Sequence, residues 1–250
     1  MKEMESFDRA SFALHPCALA TWNGFVFVNL ARDPQPFEHA LAPLVGRFAA
    51  YNLPSLVTLR SVAYDIRANW KLLHQNYSEC YHCAPLHPEL AKLSPSTSGE
   101  NDLVSGPVLG GFMTVTRPGG SLTRSGRTCG VPLGALDAVE RQRVYYYAIF
   151  PNMLLSLHHD YAMVHTMWPV APDRTRVTCE FLFHPDTADA AGCDPDDGVA
   201  FWDQVNREDW SICERTHAGI TSSRYVPGPY SRRESLSAAF DRGYLRALEG

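Results

Sequence analysis

No stretch of this chain is apolar for long enough to span a bilayer, and its start carries no signal-peptide pattern, so neither a membrane protein nor a secreted one is expected. There is no excess of basic residues. Lysine and arginine total 22 against 27 aspartates and glutamates, a net charge of −5, which removes the electrostatic footprint that nucleic acid requires. No glycine-rich flavin or nicotinamide fingerprint is present. One C-x-x-C occurs, Cys80-Tyr81-His82-Cys83, but there is no second pair to complete the four ligands of a structural zinc, and C-x-x-H is absent altogether. Seven cysteines, an odd number scattered along the chain, predict reduced thiols and a cytoplasmic protein.

What remains is an ordinary globular composition: 250 residues, 45% hydrophobic and 20% charged, enough for one large domain or two small ones with a substantial core. Residues 24–30 form a short apolar run of β-branched and aromatic residues, which predicts a buried strand. Residues 37–51 have helical spacing and residues 57–67 read as a strand. Residues 91–107 and 119–134 are rich in turn formers and predict loops, the first of them mobile. Three strand regions follow at 144–150, 153–168 (a hairpin around His159-Asp160) and 176–183. The last alternates, with Val177, Cys179, Phe181 and Phe183 on one face. An acidic, solvated loop is expected over 186–197, then helices over 199–220 and 233–248. Strands on either side of a long helix predict an α+β fold.

Two stretches carry chemistry. Residues 69–90 read as a helix that breaks near Pro85, leaving Glu79, His82 and His87 close together, since positions three apart share a helix face. Two imidazoles and a carboxylate are the donor set that holds non-haem Fe(II) with coordination positions left open for dioxygen. In the later helix, Trp202, Val205, Asp209, Ile212, Cys213 and Thr216 fall within about 60° of one another at roughly 100° per residue. Asp209 is therefore a carboxylate inside an apolar stripe, an expensive placement unless it is paired or bound to metal. Asp203 and Glu208 point about 100° or more away and read as solvated.

The run N-W-K-L-L-x-x-N-Y-x-E-C-Y-H-C-x-x-x-H-P-E-L, from Asn69 to Leu90, resembles the iron-site signature of the Rieske-type ring-hydroxylating oxygenase alpha subunits. It is most similar to the branch acting on choline, glycine betaine and related quaternary amines. It departs from the usual pattern at His74 and Gln75, neither a ligand position. F-W-D-x-V-N-x-E-D-W-x-I-C-E-x-x-x-x-G, from Phe201, is similar to the second signature of the family, with His217 where glutamine is common. The tail from Tyr225 to Ser231 also resembles this branch, and W-x-G-F-V-F-V-N-L, from Trp22, lies in the family just after the Rieske domain.

The resemblance implies a helix-grip (START/SRPBCC-like) domain, an antiparallel sheet curved around a long C-terminal helix. It implies Fe(II) on His82, His87 and Asp209. Glu79 would bridge to a histidine of a Rieske cluster on a neighbouring subunit, and Asn76 would support the site by hydrogen bonding. The implied partners are a small organic substrate, dioxygen, and a Rieske or ferredoxin-type donor with its reductase, in a homotrimer. The family's [2Fe–2S] cluster needs C-x-H and then C-x-x-H. The lone C-x-H here, Cys80-Tyr81-His82, lies inside the iron signature. Residues 1–250 are thus expected to be a mononuclear iron catalytic domain, with 1–35 an entry segment following an absent Rieske domain, either as a truncated chain or as a domain served by a separate donor. A resemblance that starts almost at Met1 favours truncation. The competing reading is a non-catalytic helix-grip module with a relic iron site, against which stands the completeness of the ligand set. Tyr146, Phe150 and Trp202 are candidates for a cation–π cage.

Overall fold

The alternation seen near Thr178 organises the molecule. In the computed structural model, which describes residues 7–249, Arg174–Phe183 is a strand whose residues Val177, Cys179, Phe181 and Phe183 are all buried. Met1 to Ser6 and Gly250, at the ends of the expected domain, lie outside the described residues. A strand with one apolar face is stable only within a sheet that packs that face. In chain order the strands are β1 (Ala18–Trp22), β2 (Phe25–Asn29), β3 (Val57–Ile66), β4 (Glu100–Leu103), β5 (Val108–Thr114), β6 (Arg143–Ile149), β7 (Met153–Leu157), β8 (Ala162–Ala171) and β9 (Arg174–Phe183). The helices are α1 (Phe37–Ala40), α2 (Trp70–Tyr77), α3 (Cys83–Leu86), α4 (Pro88–Leu93), α5 (Pro195–Ile220) and α6 (Ser235–Glu249).

Seven strands form one sheet in the order β3-β9-β8-β7-β6-β5-β4, every pairing antiparallel. The β7–β8 connection falls at His158–Tyr161, as the sequence predicts, and is closed by His158 N donating to Tyr161 O at 2.9 Å. Its Asp160 is fully buried and satisfied by Ser121 Oγ (2.7 Å) and Cys129 N (2.8 Å). Helix α5 lies across the sheet. Trp202 Nε1 donates to Tyr161 OH at 2.7 Å, and Trp210 meets the Tyr64 ring edge-on at 5.9 Å. Helix α6 packs on α2 and β5, stacking Phe240 on His74 with centroids 3.9 Å apart. This is the expected helix-grip α+β domain, with α5 as the gripped helix and α6 added after it.

Several local expectations differ. β2 exists, but Val26, Val28 and Leu30 are 62%, 57% and 84% exposed. It pairs only with β1 in a separate hairpin, burying one face through Phe25 and Phe27 against Trp22. Residues 37–51 are not one helix: Pro43 and Gly46 (φ +71°) interrupt α1 and leave 3-10 turns. Residues 91–107 are not a mobile loop, because α4 runs to Leu93 and β4 pairs with β5. The pairing is close: a Cβ on Gly111 would sit 2.0 Å from the Glu100 carbonyl oxygen. The acidic loop is shorter than expected, because Asp194 caps α5 and Asp196 and Asp197 occupy its first turn, where a carboxylate suits the helix dipole. The cysteines are not all reduced, since Cys80 and Cys83 are joined in a disulfide while the other five are free. No helix among the described residues is long and apolar enough to cross a membrane.

If the inner face of β9 carries the core, Phe181→Ala should cost about 3–5 kcal/mol and Thr178→Ala, on the other face, about 0.5 kcal/mol or less. Chemical denaturation measures both. Equal losses would mean that the register is wrong.

Candidate metal centre

Helix α2 starts at Asn69, whose side chain accepts from Lys71 N at 3.1 Å, and ends at Tyr77, well before Pro85. Ser78 stops it by turning its hydroxyl back onto the His74 carbonyl at 2.7 Å. Glu79 then organises a turn, its carboxylate accepting from the backbone N–H of Tyr81 and, at 3.3 Å, of His82. Pro85 falls inside the four-residue α3, where a missing N–H costs nothing in a first turn, and His87 caps α4 ahead of Pro88. The one-helix expectation is therefore corrected: Glu79 and His82 meet across a turn, and His87 is brought back by the break between two short helices.

Helix α5 presents Asp209 to this turn. One donor atom from each of His82, His87 and Asp209 lies within 4.8 Å of the others. The Nε2 atoms of His82 and His87 stand 3.1 Å and 2.9 Å from Asp209 Oδ1, and Asn76 Nδ2 donates to the same oxygen at 2.8 Å. Each imidazole is fixed from behind: His82 Nδ1 donates to Glu79 Oε1 and His87 Nδ1 to Glu208 Oε2, both at 2.7 Å. His87 is 1% exposed. Burial alone would lower the His82 pKa, but the carboxylates of Asp209 and Glu79 outweigh it and raise it to about 9. Burial likewise opposes the charge on Asp209, and the two imidazoles hold its carboxyl down at about 2.

These residues fit a dication. Carboxylates on both Nδ1 atoms leave both Nε2 atoms to face one point, the tautomer and orientation a metal needs. Three carboxylates (Glu79, Glu208 and Asp209) surround two imidazoles, so even with both rings protonated the cluster keeps an excess negative charge.

The structure corrects the reading of the α5 stripe. Thr216 is exposed, and Asn206 and Trp210 join the buried face instead. Glu208 is still 26% exposed but is not merely solvated: its extra methylene carries the carboxylate back round the helix to His87, and Gln204 Nε2, one turn away, donates to its other oxygen at 3.0 Å. Asp203 is engaged too, accepting from Tyr64 OH at 2.9 Å and Arg207 Nε at 2.9 Å. Periodicity alone misses Glu208, and the dipeptide Glu208-Asp209 beside an apolar stripe was the available signal.

A cavity of about 320 Å³ opens beside the centre, lined by Tyr77, Phe112, Tyr146 and Trp202 among others. Tyr146 meets Tyr77 and Trp202 edge-on at 6.2 Å and 6.3 Å, and its buried hydroxyl has no hydrogen-bond partner. Phe150 is not part of this wall. It packs with Trp70 and Phe240 under α6, because β6 ends at Ile149 and turns its next ring outward, and Tyr77 takes the place expected of it.

Residues 53–250 match the family described as ring hydroxylating alpha subunit, catalytic domain. The chain is 27% identical over 263 residues to the glycine betaine monooxygenase oxygenase subunit of Pseudomonas aeruginosa, covering 90% of this chain and 59% of that protein. The subunit of the same description from Chromohalobacter salexigens is 29% identical over 265 residues, covering 91% and 58%. A crystal structure of the quaternary ammonium Rieske monooxygenase CntA shares the fold with a TM-score of 0.76 at 19% identity, over 100% of this chain and 66% of that one. The chain thus spans about three-fifths of the curated relatives it matches.

If Glu208 orients His87, Glu208→Gln should weaken Fe(II) or Co(II) binding about 10–100-fold, while Asp203→Asn leaves it within about twofold. Because the His82 pKa is raised, the metal-free ring is protonated at pH 7 and must shed that proton to bind, so affinity should climb until pH reaches about 9. Anaerobic calorimetry across pH reads both effects. A pH-independent affinity would contradict the geometry.

Proposed function

Because the chain belongs to the ring hydroxylating alpha subunit family through its catalytic domain, we propose that it is the mononuclear iron unit of an oxygenase that hydroxylates or oxidatively demethylates a small organic substrate. The observation that carries this reading is the convergence of His82, His87 and Asp209 with carboxylates behind both rings. His82, His87 and Asp209 would hold Fe(II), which would supply the redox chemistry for activating dioxygen. The other work belongs to the protein. Glu79 and Glu208 hold the two rings in register, Asn76 keeps the Asp209 carboxylate turned inward, and the aromatic wall excludes water from the substrate.

Hydroxylation of a C–H bond by dioxygen consumes two electrons and two protons beyond the substrate and yields one water. No residue pattern here carries an iron–sulfur cluster, flavin or nicotinamide. The electrons come, on this reading, from a Rieske centre outside residues 1–250, with its reductase. Residues 1–250 form the catalytic unit, residues 1–35 its entry segment, and the assembly is a homotrimer in which a neighbour's cluster approaches Glu79. Glu79 suits the bridging role because Oε1 already holds His82, a ligand ring, and Tyr81 beside it is exposed. Quaternary amines are the favoured substrates: the relatives are described as glycine betaine monooxygenases, and the Tyr77, Tyr146 and Trp202 faces suit a cation. For a methylammonium substrate, hydroxylation of a methyl gives a hydroxymethyl group that leaves as formaldehyde.

The purified chain should hold about one iron, lost in His82→Ala, His87→Ala and Asp209→Ala and kept in Asp203→Ala. Hydrogen peroxide, which brings both the oxygen atom and the two electrons, should give product where NADH with a reductase gives negligible turnover. Brisk NADH-driven turnover by the chain alone would sink the external-donor reading. If iron-loaded protein gives no product with peroxide or with dioxygen and NADH plus reductase, the binding-module reading gains.

Glu79→Gln keeps a hydrogen-bond acceptor for His82 but loses the charge. It should weaken Fe(II) binding no more than Glu208→Gln does and still fill with iron at saturating Fe(II), yet slow donor-driven turnover of the iron-loaded protein at least tenfold once a Rieske donor is supplied. Unchanged turnover would remove the bridging role, and loss of iron even at saturating Fe(II) would recast Glu79 as a ligand.

A further inference from the structure

The cavity beside the metal centre carries one permanently cationic side chain. Arg233 lines it from the 3-10 turn Arg232–Glu234, which leads into α6. That turn is fixed in place. Ser231 and Glu234 form a reciprocal capping box, with Ser231 N donating to Glu234 Oε2 at 2.8 Å, and Leu236, three residues on, lines the same cavity. The backbone at Arg233 is therefore held at the mouth of the cavity.

Its chemistry is unspent. Arg233 is exposed at the rim of the cavity, and it makes neither an ion pair nor a side-chain hydrogen bond with any described residue. This is so even though Glu79, Glu100 and Asp209 line the same cavity. A guanidinium is a planar fork of donors matched to a carboxylate, and one that faces a cavity without an acidic partner presents that fork to whatever enters. The same cavity is lined by Tyr77, Tyr146 and Trp202, which pack edge to face, and aromatic rings are the surface on which a quaternary ammonium rests. Trp202 lies seven residues before Asp209 on α5, about 10 Å along the helix. The cavity thus has an aromatic region, an acidic metal centre and a single free cation.

We propose that Arg233 is the carboxylate anchor of this site and sets its specificity: the substrate is a zwitterion whose quaternary ammonium rests on the aromatic wall and whose carboxylate takes the guanidinium fork. This rests on the reading of the cavity as the substrate site and goes beyond it, because it selects betaines over amino alcohols such as choline. It also explains how an acidic cavity accepts an anionic group, which three lining carboxylates would otherwise repel. Choline presents the same trimethylammonium head and lacks the charge that Arg233 would meet.

The test is calorimetric binding of glycine betaine and of choline to the iron-loaded chain under nitrogen, for wild type, Arg233→Gln and Arg233→Lys. Wild type should prefer glycine betaine. Arg233→Gln should weaken glycine betaine at least tenfold and change choline less than twofold, and Arg233→Lys, which keeps the charge but not the fork, should fall between. Unchanged betaine binding in Arg233→Gln would overturn the proposal. So would equal weakening of both ligands with a lowered Tm, which would mark Arg233 as structural. Wild type that binds choline and betaine equally tightly overturns the anchor but leaves the quaternary-amine reading standing. Wild type that binds neither ligand overturns both.

Discussion

A single carboxylate oxygen governs the architecture. Asp209 Oδ1 lies between two imidazole nitrogens at 3.1 Å and 2.9 Å and accepts a third contact from Asn76. It projects from a largely apolar face of α5, where an uncompensated charge would cost several kcal/mol. Every neighbouring element is arranged to meet that cost. Helix α2 ends early so that Asn76 and the Glu79 turn face α5. Two short helices replace one long one so that His87 can fold back. The next residue, Glu208, reaches round to hold His87 from its far side.

That constraint links the fold to the site. The seven-stranded sheet supplies a rigid floor, and α5 is held to it by Trp202 on Tyr161 and Trp210 on Tyr64. With α5 fixed, Asp209 has one position, and the turn from the α2 side must come to it. The substrate cavity is then bounded by what lies between sheet and helices. Tyr146 comes from β6, Phe112 from β5, Tyr77 from the end of α2, and Arg233 from the lead-in to α6. The aromatic wall, the metal centre and the free cation thus come from separate parts of the chain, and only the closed fold brings them together.

Much of this was legible beforehand where the pattern was long and periodic. The alternation of β9, the hairpin at His159-Asp160 and the single acid in the α5 stripe needed only local periodicity. The three ligand candidates lie in two continuous stretches, so their adjacency followed from resemblance. What escaped depended on side chains reaching across the fold. The bond from Glu208 to His87 is hidden from periodicity, because helical angle says where a Cβ points and nothing about how far two methylenes carry a carboxylate. The α2 boundary was placed at Pro85 because proline is the obvious breaker, whereas a serine hydroxyl on a backbone carbonyl did the work at Ser78. Phe150 looked like a cage residue and turned out to be packing for α6, since strand alternation does not say what covers each face. The Cys80–Cys83 bond was invisible to an argument from cysteine number and compartment.

The central claim, that two imidazoles and one carboxylate hold a single iron here, has a direct spectroscopic test. X-ray absorption of the iron-loaded chain, prepared anaerobically in the presence of reductant, reads the atoms bound to the metal. The account predicts a shell of nitrogen and oxygen scatterers only, with outer-shell features of two imidazoles, at about 2.0–2.2 Å. A sulfur scatterer near 2.3 Å would place Cys80 or Cys83, which flank His82 in the same turn, on the metal instead, and would contradict the ligand set.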